Sequence, residues 1–141
     1  MKKVTLFVVL ALTLSGLLYA DHKYKEVASV HDIMEVVQGP SMKVLSGIMK
    51  AGGPQSDDDW KHAREHVSIL GESSQLLLMG ARVKDEPWTT GANKVIAGSI
   101  QATAAAVAKD ADAFRAGMGG VGSGCRSCHK VYKEDKKKKN K

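Results

Sequence analysis

The chain has 141 residues, of which 43% are hydrophobic and 26% are charged, and its formal net charge is +6 at pH 7. A chain of this length has room for one compact domain with a sizeable core, so a second, catalytic domain is not expected. Its lysines are not interleaved with aromatic residues, which argues against a nucleic-acid partner.

Residues 1–20 are predicted to be a secretory signal peptide. A basic start is followed by an apolar run over residues 4–18 and by the small residue Ala20, as such leaders require. Leu18 stands where a small residue is usual before a cleavage site, so an uncleaved membrane anchor is the alternative. The run is short for a spanning helix, which needs about 20 apolar residues. We therefore expect residues 21–141 to form one exported, periplasmic domain.

Helical spacing of apolar residues recurs four times after this leader, and no run alternates apolar and polar residues as a strand does. The first helix is predicted over about residues 24–50, with a kink at Gly39-Pro40. Its predicted inner face holds Val27, Val30, Met34 and Val37. The acidic run of residues 57–59 suits the start of a second helix, because it caps the N-terminus and complements the helix dipole. That helix is predicted to bury Trp60, Ala63, Val67, Leu70 and Leu77.

The third helix is predicted from about Trp88 to Ala108, and the fourth starts with Asp110 or Asp112 as its cap. The third is predicted to bury Val95, Ile96, Ile100, Thr103 and Val107. In the fourth, six residues at steps of four and three share one face: Phe114, Met118, Val121, Cys125, Cys128 and Tyr132. Four helices with short loops predict an all-α, antiparallel up-down-up-down four-helix bundle, whose interior is a usual place for a cofactor.

The fourth helix is also rich in glycine, and each glycine disfavours a helix by about 1 kcal/mol relative to alanine. The five glycines are Gly117, Gly119, Gly120, Gly122 and Gly124. Our hypothesis is that a large flat ligand lies against this backbone, because small residues allow close approach and burial of the ligand compensates for the lost propensity.

Residues 125–129, Cys-Arg-Ser-Cys-His, form a complete haem-attachment sequence. Cys125 and Cys128 lie one helical turn apart, so each thiol is positioned to form a thioether to a haem vinyl group. The imidazole of His129 then reaches the iron from the same side. The motif predicts one covalently bound haem with His129 as an axial ligand of the iron.

Three other interpretations of the two cysteines were weighed. A Cys125–Cys128 disulfide is compatible with export but leaves His129 unexplained. A thioredoxin-like redox pair needs a βαβ context that the sequence lacks. A structural zinc site needs a fourth ligand, which the distant His62 or His66 would have to supply. Haem attachment accounts for the most features.

The helix pattern and the position of the motif near the C-terminus resemble the cytochrome c prime family, the class II c-type cytochromes. The resemblance covers residues 21–141 and implies a four-helix bundle with the haem on its last helix. Lys133 matches the family's basic residue one turn after the histidine, and Gly124 matches its small residue before the first cysteine. Tyr132 is expected to pack on the porphyrin. The resemblance also implies a homodimer through the first two helices.

The second axial position of the iron decides the function that this resemblance implies. Low-spin family members place a methionine there, and Met34 is the best candidate, because it lies on the predicted inner face and a thioether suits haem iron. His31, one turn earlier, is the alternative ligand. High-spin members keep a bulky apolar residue there and bind small gases such as nitric oxide and carbon monoxide. Ile33 or Met34 would then guard an open site.

A second motif, His62-Ala63-Arg64-Glu65-His66, matches the pattern of inverted zinc peptidases. It lacks a third ligand and a substrate cleft, so a helix surface with two histidines is preferred. Trp60 and Trp88 stand near predicted helix starts, where packing at a bundle end is the default role and lining of the haem pocket the alternative.

The sequence thus predicts an electron carrier and not an enzyme, with a redox protein as its partner and no membrane partner unless the leader stays attached. The lysine-rich tail, residues 133–141, is predicted to be solvated. Steering of an acidic redox partner is its alternative role.

Overall fold

The structure, a computed structural model, describes residues 24–133. The predicted signal peptide and the tail beyond Lys133 lie outside the described residues. Within this range the chain forms helices and connecting segments, without a strand. No helix among these residues is long and apolar enough to cross a membrane. The prediction of an all-helical domain with four helices is confirmed.

The four helices are named α1 to α4, and α1 is continuous over residues 30–50. Its three parts are an α-helical turn at Val30–Asp32, a π-helical stretch at Ile33–Gln38 and an α-helix at Gly39–Lys50. The others are α2 at Asp57–Gln75, α3 at Glu86–Ala108 and α4 at Ala111–Tyr132. Two short 3₁₀ turns, Leu76–Leu78 and Gly80–Arg82, lie between α2 and α3.

Consecutive helices pack side by side and run antiparallel. In every pair, residue numbers rise along one helix while those of the contacting residues fall along the next. The contacts are Gln38 with Ser74 and Ser41 with His66 for α1 and α2, Gly71 with Ser99 and Asp57 with Lys109 for α2 and α3, and Gly91 with Cys128 and Gly98 with Val121 for α3 and α4. The connections are short, which favours this arrangement.

The helix starts follow from local capping. Ser56 caps α2 by accepting a hydrogen bond from the Asp59 backbone, and the Asp59 carboxylate accepts one from the Ser56 backbone. Asp110 caps α4, because its side chain accepts a hydrogen bond from the Ala113 backbone N–H. Asp110 is one of the two residues predicted for this cap. Each cap satisfies a backbone N–H that has no partner within the helix.

The predicted start of α1 at residue 24 is wrong. The helix begins at Val30, because Ser29 and Asp32 form a capping box there. Val27 lies before the helix and is 95% exposed, so it is not part of the inner face. A capping box is a stronger signal than the apolar spacing that suggested the longer helix.

A π-helical stretch, Ile33–Gln38, directly precedes Gly39-Pro40, where the sequence predicted a kink. Pro40 has no N–H and its ring crowds the preceding turn. A wider turn is one way to keep a helix continuous at such a point. The Gly39 N–H accordingly donates to the carbonyl of Met34, five residues earlier.

The buried face predicted for α3 is largely wrong. Val95 is buried, but Ile100 and Val107 are 67% and 68% exposed. The helix instead turns its small residues inward: Gly91, Ala92, Gly98, Ser99, Ala102, Ala105 and Ala106. Small residues let α3 lie closer to its neighbours than isoleucines would.

This close approach accounts for Gly117 and Gly124 of α4, whereas a Cβ at Gly119 would have no neighbour within 4 Å. The hypothesis of a flat ligand along that backbone stays a prediction. A Cβ added at Gly117 would lie 2.7 Å from the backbone nitrogen of Ala102, and one added at Gly124 would lie 2.6 Å from the carbonyl oxygen of Gly91. The two helices meet backbone to backbone, so only glycine fits these positions. The helix is regular throughout, because packing against α3 compensates for the low helix propensity of glycine.

The buried apolar residues form two clusters. The larger, here called the Phe114 core, consists of Leu45, Ala63, Val67, Leu70, Val95, Ala102, Ala105, Ala106, Phe114, Met118 and Val121. The smaller, the Cys128 cluster, consists of Ile33, Leu77, Trp88, Ala92 and Cys128, with Val30, Met34, Leu76, Leu78 and Tyr132 packed against it. The haem-attachment motif lies at the end of the bundle that holds the smaller cluster.

Candidate functional site

The haem-attachment motif occupies the last two turns of α4. Cys128 is buried, and Gly91 of α3 comes close to its side chain, since a Cβ added there would lie 2.9 Å from the Cβ of Cys128. Cys125 is half-buried and packs against the Phe114 core. Both side chains are free thiols. The two sulfur positions therefore span the boundary between the two clusters, on one face of one helix.

The Cys128 cluster brings together residues from α1, α3 and α4 and from the 3₁₀ turn that follows α2. Met34 from α1 is half-buried and packs on the same cluster as Cys128. The rings of Trp88 and Tyr132 meet edge to face, with 5.3 Å between their centroids. The Trp88 indole donates a hydrogen bond of 2.8 Å to the carbonyl of Leu77. A thioether, a thiol and two aromatic rings thus share one apolar site.

Lys84, in the segment before α3, covers the aromatic pair from outside. Its Nζ lies 4.7 Å from the ring centroid of Tyr132 and 4.9 Å from that of Trp88, within the range of cation–π attraction. The Tyr132 hydroxyl is buried, and no group among the described residues hydrogen-bonds to it. A buried hydroxyl without a partner is uncommon. A hydrogen-bond acceptor on a bound ligand would therefore be stabilised by this hydroxyl.

Arg82 fixes the segment that carries Lys84. Its guanidinium is buried and donates to the Ala28 carbonyl at 2.6 Å and to the Tyr24 hydroxyl at 2.6 Å. This ties the segment before α3 to the extended residues before α1. Neither Arg82 nor Lys84 was predicted from the sequence, because both lie outside the periodic helical pattern. Arg82 bonds to residues more than 50 positions away, and Lys84 reaches Tyr132 of α4.

Burial sets the protonation states of the motif. Burial raises the pKa of both the Cys125 thiol and the Cys128 thiol. The neighbouring Cys125 raises the pKa of Cys128 further. Burial and then the nearby Lys133 ammonium lower the pKa of His129. At neutral pH the site therefore presents two thiols and a neutral imidazole, which is the form of histidine that binds metals.

The other three predicted site residues lie at the periphery. His129 is exposed, next to the buried Cys128. Lys133 is exposed at the end of α4, one turn beyond His129. The His31 side chain is 78% exposed, and its Nε2 lies 3.3 Å from the Glu35 carboxylate on the outer side of α1. The structure therefore gathers Met34, Cys128 and Tyr132 in one cluster and keeps His31 outside it.

The two tryptophans lie in different clusters. Trp88 belongs to the Cys128 cluster, whereas Trp60 packs edge to face on Phe114, with 5.8 Å between the centroids. Packing is thus the role of Trp60, as predicted by default. Trp88 lies beside Cys128 in that cluster, so lining of a cofactor site stays a prediction for it.

The second motif has no metal-binding geometry in the described range. The rings of His62 and His66 lie 6.4 Å apart, and His66 Nδ1 is 3.4 Å from the Ser41 hydroxyl. Between residues 24 and 133, no three histidine, cysteine, aspartate or glutamate side chains are grouped so as to hold a metal ion. This arrangement favours neither the zinc peptidase nor the structural zinc site.

Comparison of the chain with protein-family models, curated proteins and solved structures finds no match.

Proposed function

We propose that this chain is an exported c-type cytochrome of the cytochrome c prime class that carries one covalent haem and transfers single electrons. The observation that carries the proposal is the placement of Cys128, from the haem-attachment motif, in the same apolar cluster as Met34 from the opposite end of the chain. A covalent attachment point and a candidate second ligand thus come together at one end of the bundle.

The residues present fit a haem. Two thiols one turn apart, a neutral imidazole beside them and a thioether across the cluster are the donors that a c-type haem requires. Aromatic and aliphatic side chains pack around Cys128 and Met34, which suits a large apolar ring. The haem would supply the redox chemistry, since its iron cycles between the ferric and ferrous states by one electron.

The side chains have distinct roles in this proposal. Cys125 and Cys128 would hold the haem through thioether bonds, each formed by addition of S–H across a vinyl group, which needs no oxidant. His129 would bind the iron as the neutral imidazole. Lys84 and the unpartnered hydroxyl of Tyr132 are donors for an acidic group of the haem.

Met34 is our preferred second ligand. It packs on the Cys128 cluster, and it lies in the π-helical stretch of α1, a feature that is frequent at functional sites. His31 faces solvent instead. Methionine and histidine together raise the reduction potential of a haem, which suits an electron carrier.

One observation favours a second candidate, a five-coordinate haem protein that binds nitric oxide or carbon monoxide. Ile33 is 3% exposed and belongs to the Cys128 cluster, next to Met34 in sequence. A bulky apolar residue at that place would shield an open iron site without binding it.

The covalent attachment is tested on the chain produced in a host that matures c-type cytochromes. We expect the mass of one haem to stay with the denatured protein, and the double variant Cys125→Ser, Cys128→Ser to lose it. His62→Ala is the control and should keep the haem. A wild-type chain that matures without covalent haem, in a host that loads a known c-type cytochrome, would overturn the proposal.

The second ligand is tested by optical spectroscopy of the ferric and ferrous protein. A low-spin spectrum with a sulfur-to-iron charge-transfer band that disappears in Met34→Ala supports electron transfer. Met42→Ala is the matched control, because Met42 is a partly buried methionine of the same helix that packs on the Phe114 core. A high-spin wild-type spectrum with ready carbon monoxide binding would replace electron transfer by gas binding.

A further inference from the structure

Gln38 is a buried amide at the end of the π-helical stretch of α1. The residue is 6% exposed, and its Nε2 lies 3.0 Å from the Ser74 hydroxyl and 3.4 Å from the Ser73 hydroxyl of α2. Each of these hydroxyls donates its own hydrogen to a backbone carbonyl of α2, at 2.7 Å. Both serine oxygens are therefore left as acceptors, and the Gln38 amide is the donor that fits them.

These hydrogen bonds join two segments that both reach the Cys128 cluster. On α1, the π-helical stretch supplies Ile33 and Met34. On α2, the two serines stand just before the 3₁₀ turn Leu76–Leu78, all of whose residues belong to the cluster or pack against it. Gln38 thus fixes the stretch that carries Met34 relative to a second wall of the cluster.

The backbone next to Gln38 is adapted to the wider turn. The Gly39 N–H donates to the carbonyl of Met34, whereas in an α-helix its partner would be the carbonyl of Glu35. A Cβ added at Gly39 would lie 3.1 Å from the Met34 carbonyl oxygen, so glycine allows this close approach. If the turn closed to α-helical winding, the residues before it would rotate by as much as about 100°, the angle between consecutive residues of an α-helix. Met34 would then leave its place on the cluster.

We propose that Gln38 is a positioning residue for the second ligand of the iron, because its bonds to α2 hold the π-helical register that keeps Met34 on the Cys128 cluster. This inference rests on the proposed function, which makes Met34 that ligand. The other end of the stretch is held by Arg82, whose guanidinium donates to the Ala28 carbonyl at 2.6 Å. The winding between these two fixed points cannot change without breaking one of them. Gln38 acts through the backbone of α1 and supplies no donor atom to the iron.

The register is tested by NMR on the full chain, through the scalar coupling across the hydrogen bond of the Gly39 N–H, which can be measured with or without the haem. We expect coupling to the Met34 carbonyl in the wild type. In Gln38→Leu the ratio of this partner to the Glu35 carbonyl should fall by roughly tenfold, the effect expected for a buried hydrogen bond. Ser74→Ala removes the nearer acceptor and is the milder variant, with a smaller change in the same direction. Unchanged coupling in both variants would overturn the proposal.

The positioning role is tested by the optical spectrum and the reduction potential of the matured protein. In Gln38→Leu the ratio of methionine-bound to open iron, read from the sulfur-to-iron charge-transfer band, should fall by roughly tenfold, and the reduction potential should fall with it. Ser41→Ala is the matched control, because Ser41 is a buried residue of α1 whose hydroxyl lies 3.4 Å from His66 of α2, outside the π-helical stretch.

The control should lose some stability and keep both the band and the potential. A merely structural Gln38 would behave in the same way, so a band that Gln38→Leu keeps overturns the positioning role alone. A wild-type protein without the band overturns the ligand assignment of Met34 and this role together. The two failures are therefore distinguished by the wild-type spectrum.

Discussion

The two ends of this bundle are built differently. The Phe114 core draws on regular α-helical turns, and Leu45, Val67, Leu70, Phe114 and Val121 are all completely buried in it. The Cys128 cluster draws on the π-helical stretch of α1, a 3₁₀ turn and the ends of α3 and α4. Both ends contain sulfur atoms and an aromatic pair, but one is built on regular helical backbone and the other on irregular backbone.

This difference separates stability from function. Regular helices with small residues at their contacts give dense packing, which stabilises a fold without demanding particular chemistry. Irregular turns are unfavourable in themselves and persist where they position side chains for another purpose. We therefore expect changes in the Phe114 core to act on stability alone, and changes in the Cys128 cluster to act on the proposed haem as well.

The largest expected effect comes from emptying the Phe114 core. Phe114→Ala should lower the free energy of unfolding by about 3–5 kcal/mol, because it leaves a cavity next to Trp60. The measurement is denaturant unfolding followed by circular dichroism. Leu77→Ala is the matched change in the Cys128 cluster, with an expected loss of about 2–3 kcal/mol. Only Leu77→Ala should shift the spectrum of the proposed haem, and equal shifts in both variants would break the distinction between the two ends.

Overpacking between α3 and α4 comes next. Gly117→Ala should destabilise the protein by about 1–3 kcal/mol, because its Cβ would press on the backbone of Ala102. Gly119→Ala is the control, since a Cβ there has no neighbour within 4 Å. It should stabilise the helix by roughly 0.5–1 kcal/mol. If both substitutions stabilise the protein on thermal unfolding, α3 and α4 do not meet backbone to backbone.

A smaller effect is expected from the two capping boxes. Ser56→Ala removes the cap of α2 and should lower the free energy of unfolding by about 1 kcal/mol. Ser29→Ala removes the cap of α1, which leads directly into the π-helical stretch. A similar loss of stability is expected there, together with a change in the haem spectrum that Ser56→Ala does not produce. Identical spectra for the two variants would contradict this.

The smallest effect is a dependence on pH. Hydrogen bonds from the backbone of Gln55 and from Ser56 lower the pKa of the Asp59 carboxyl, and bonds from Ser29 lower the pKa of Asp32. A lowered pKa in the folded state contributes stability that is present above the ordinary range for aspartate, about pH 4, and is lost as pH falls below it.

Asp59→Asn tests this dependence. The wild-type protein should be more stable than the variant at pH 7, and the difference should shrink as the pH is lowered past about 4. Asp58→Asn is the control, because Asp58 lies in the same exposed first turn of α2 outside the capping box. A difference between wild type and Asp59→Asn that persists at low pH would show that the capping box is not the cause.

Local signals in the sequence were sufficient for much of the fold. The acidic start of α2, the cap at Asp110 and the inner face of α4 were predicted correctly, because capping and helical periodicity depend on neighbours within a few residues. The haem-attachment motif is local in the same sense, since its five residues lie on little more than one turn of helix. The predicted start of α1 is wrong because apolar spacing continues back to Val27, whereas the capping box of Ser29 and Asp32 starts the helix at Val30.

The buried side of α3 could be decided only by the tertiary structure. Periodicity favours the larger apolar residues, such as Ile100, for burial, yet the backbone of α4 comes so close that glycine and alanine must face it. The same holds for the Cys128 cluster, where Met34, Lys84 and Tyr132 come from distant segments. The sequence by itself predicted four helices, the cap of α4 and the haem-attachment motif. The distance between packed helices determined which faces are buried and which side chains surround that motif, because it depends on the whole chain at once.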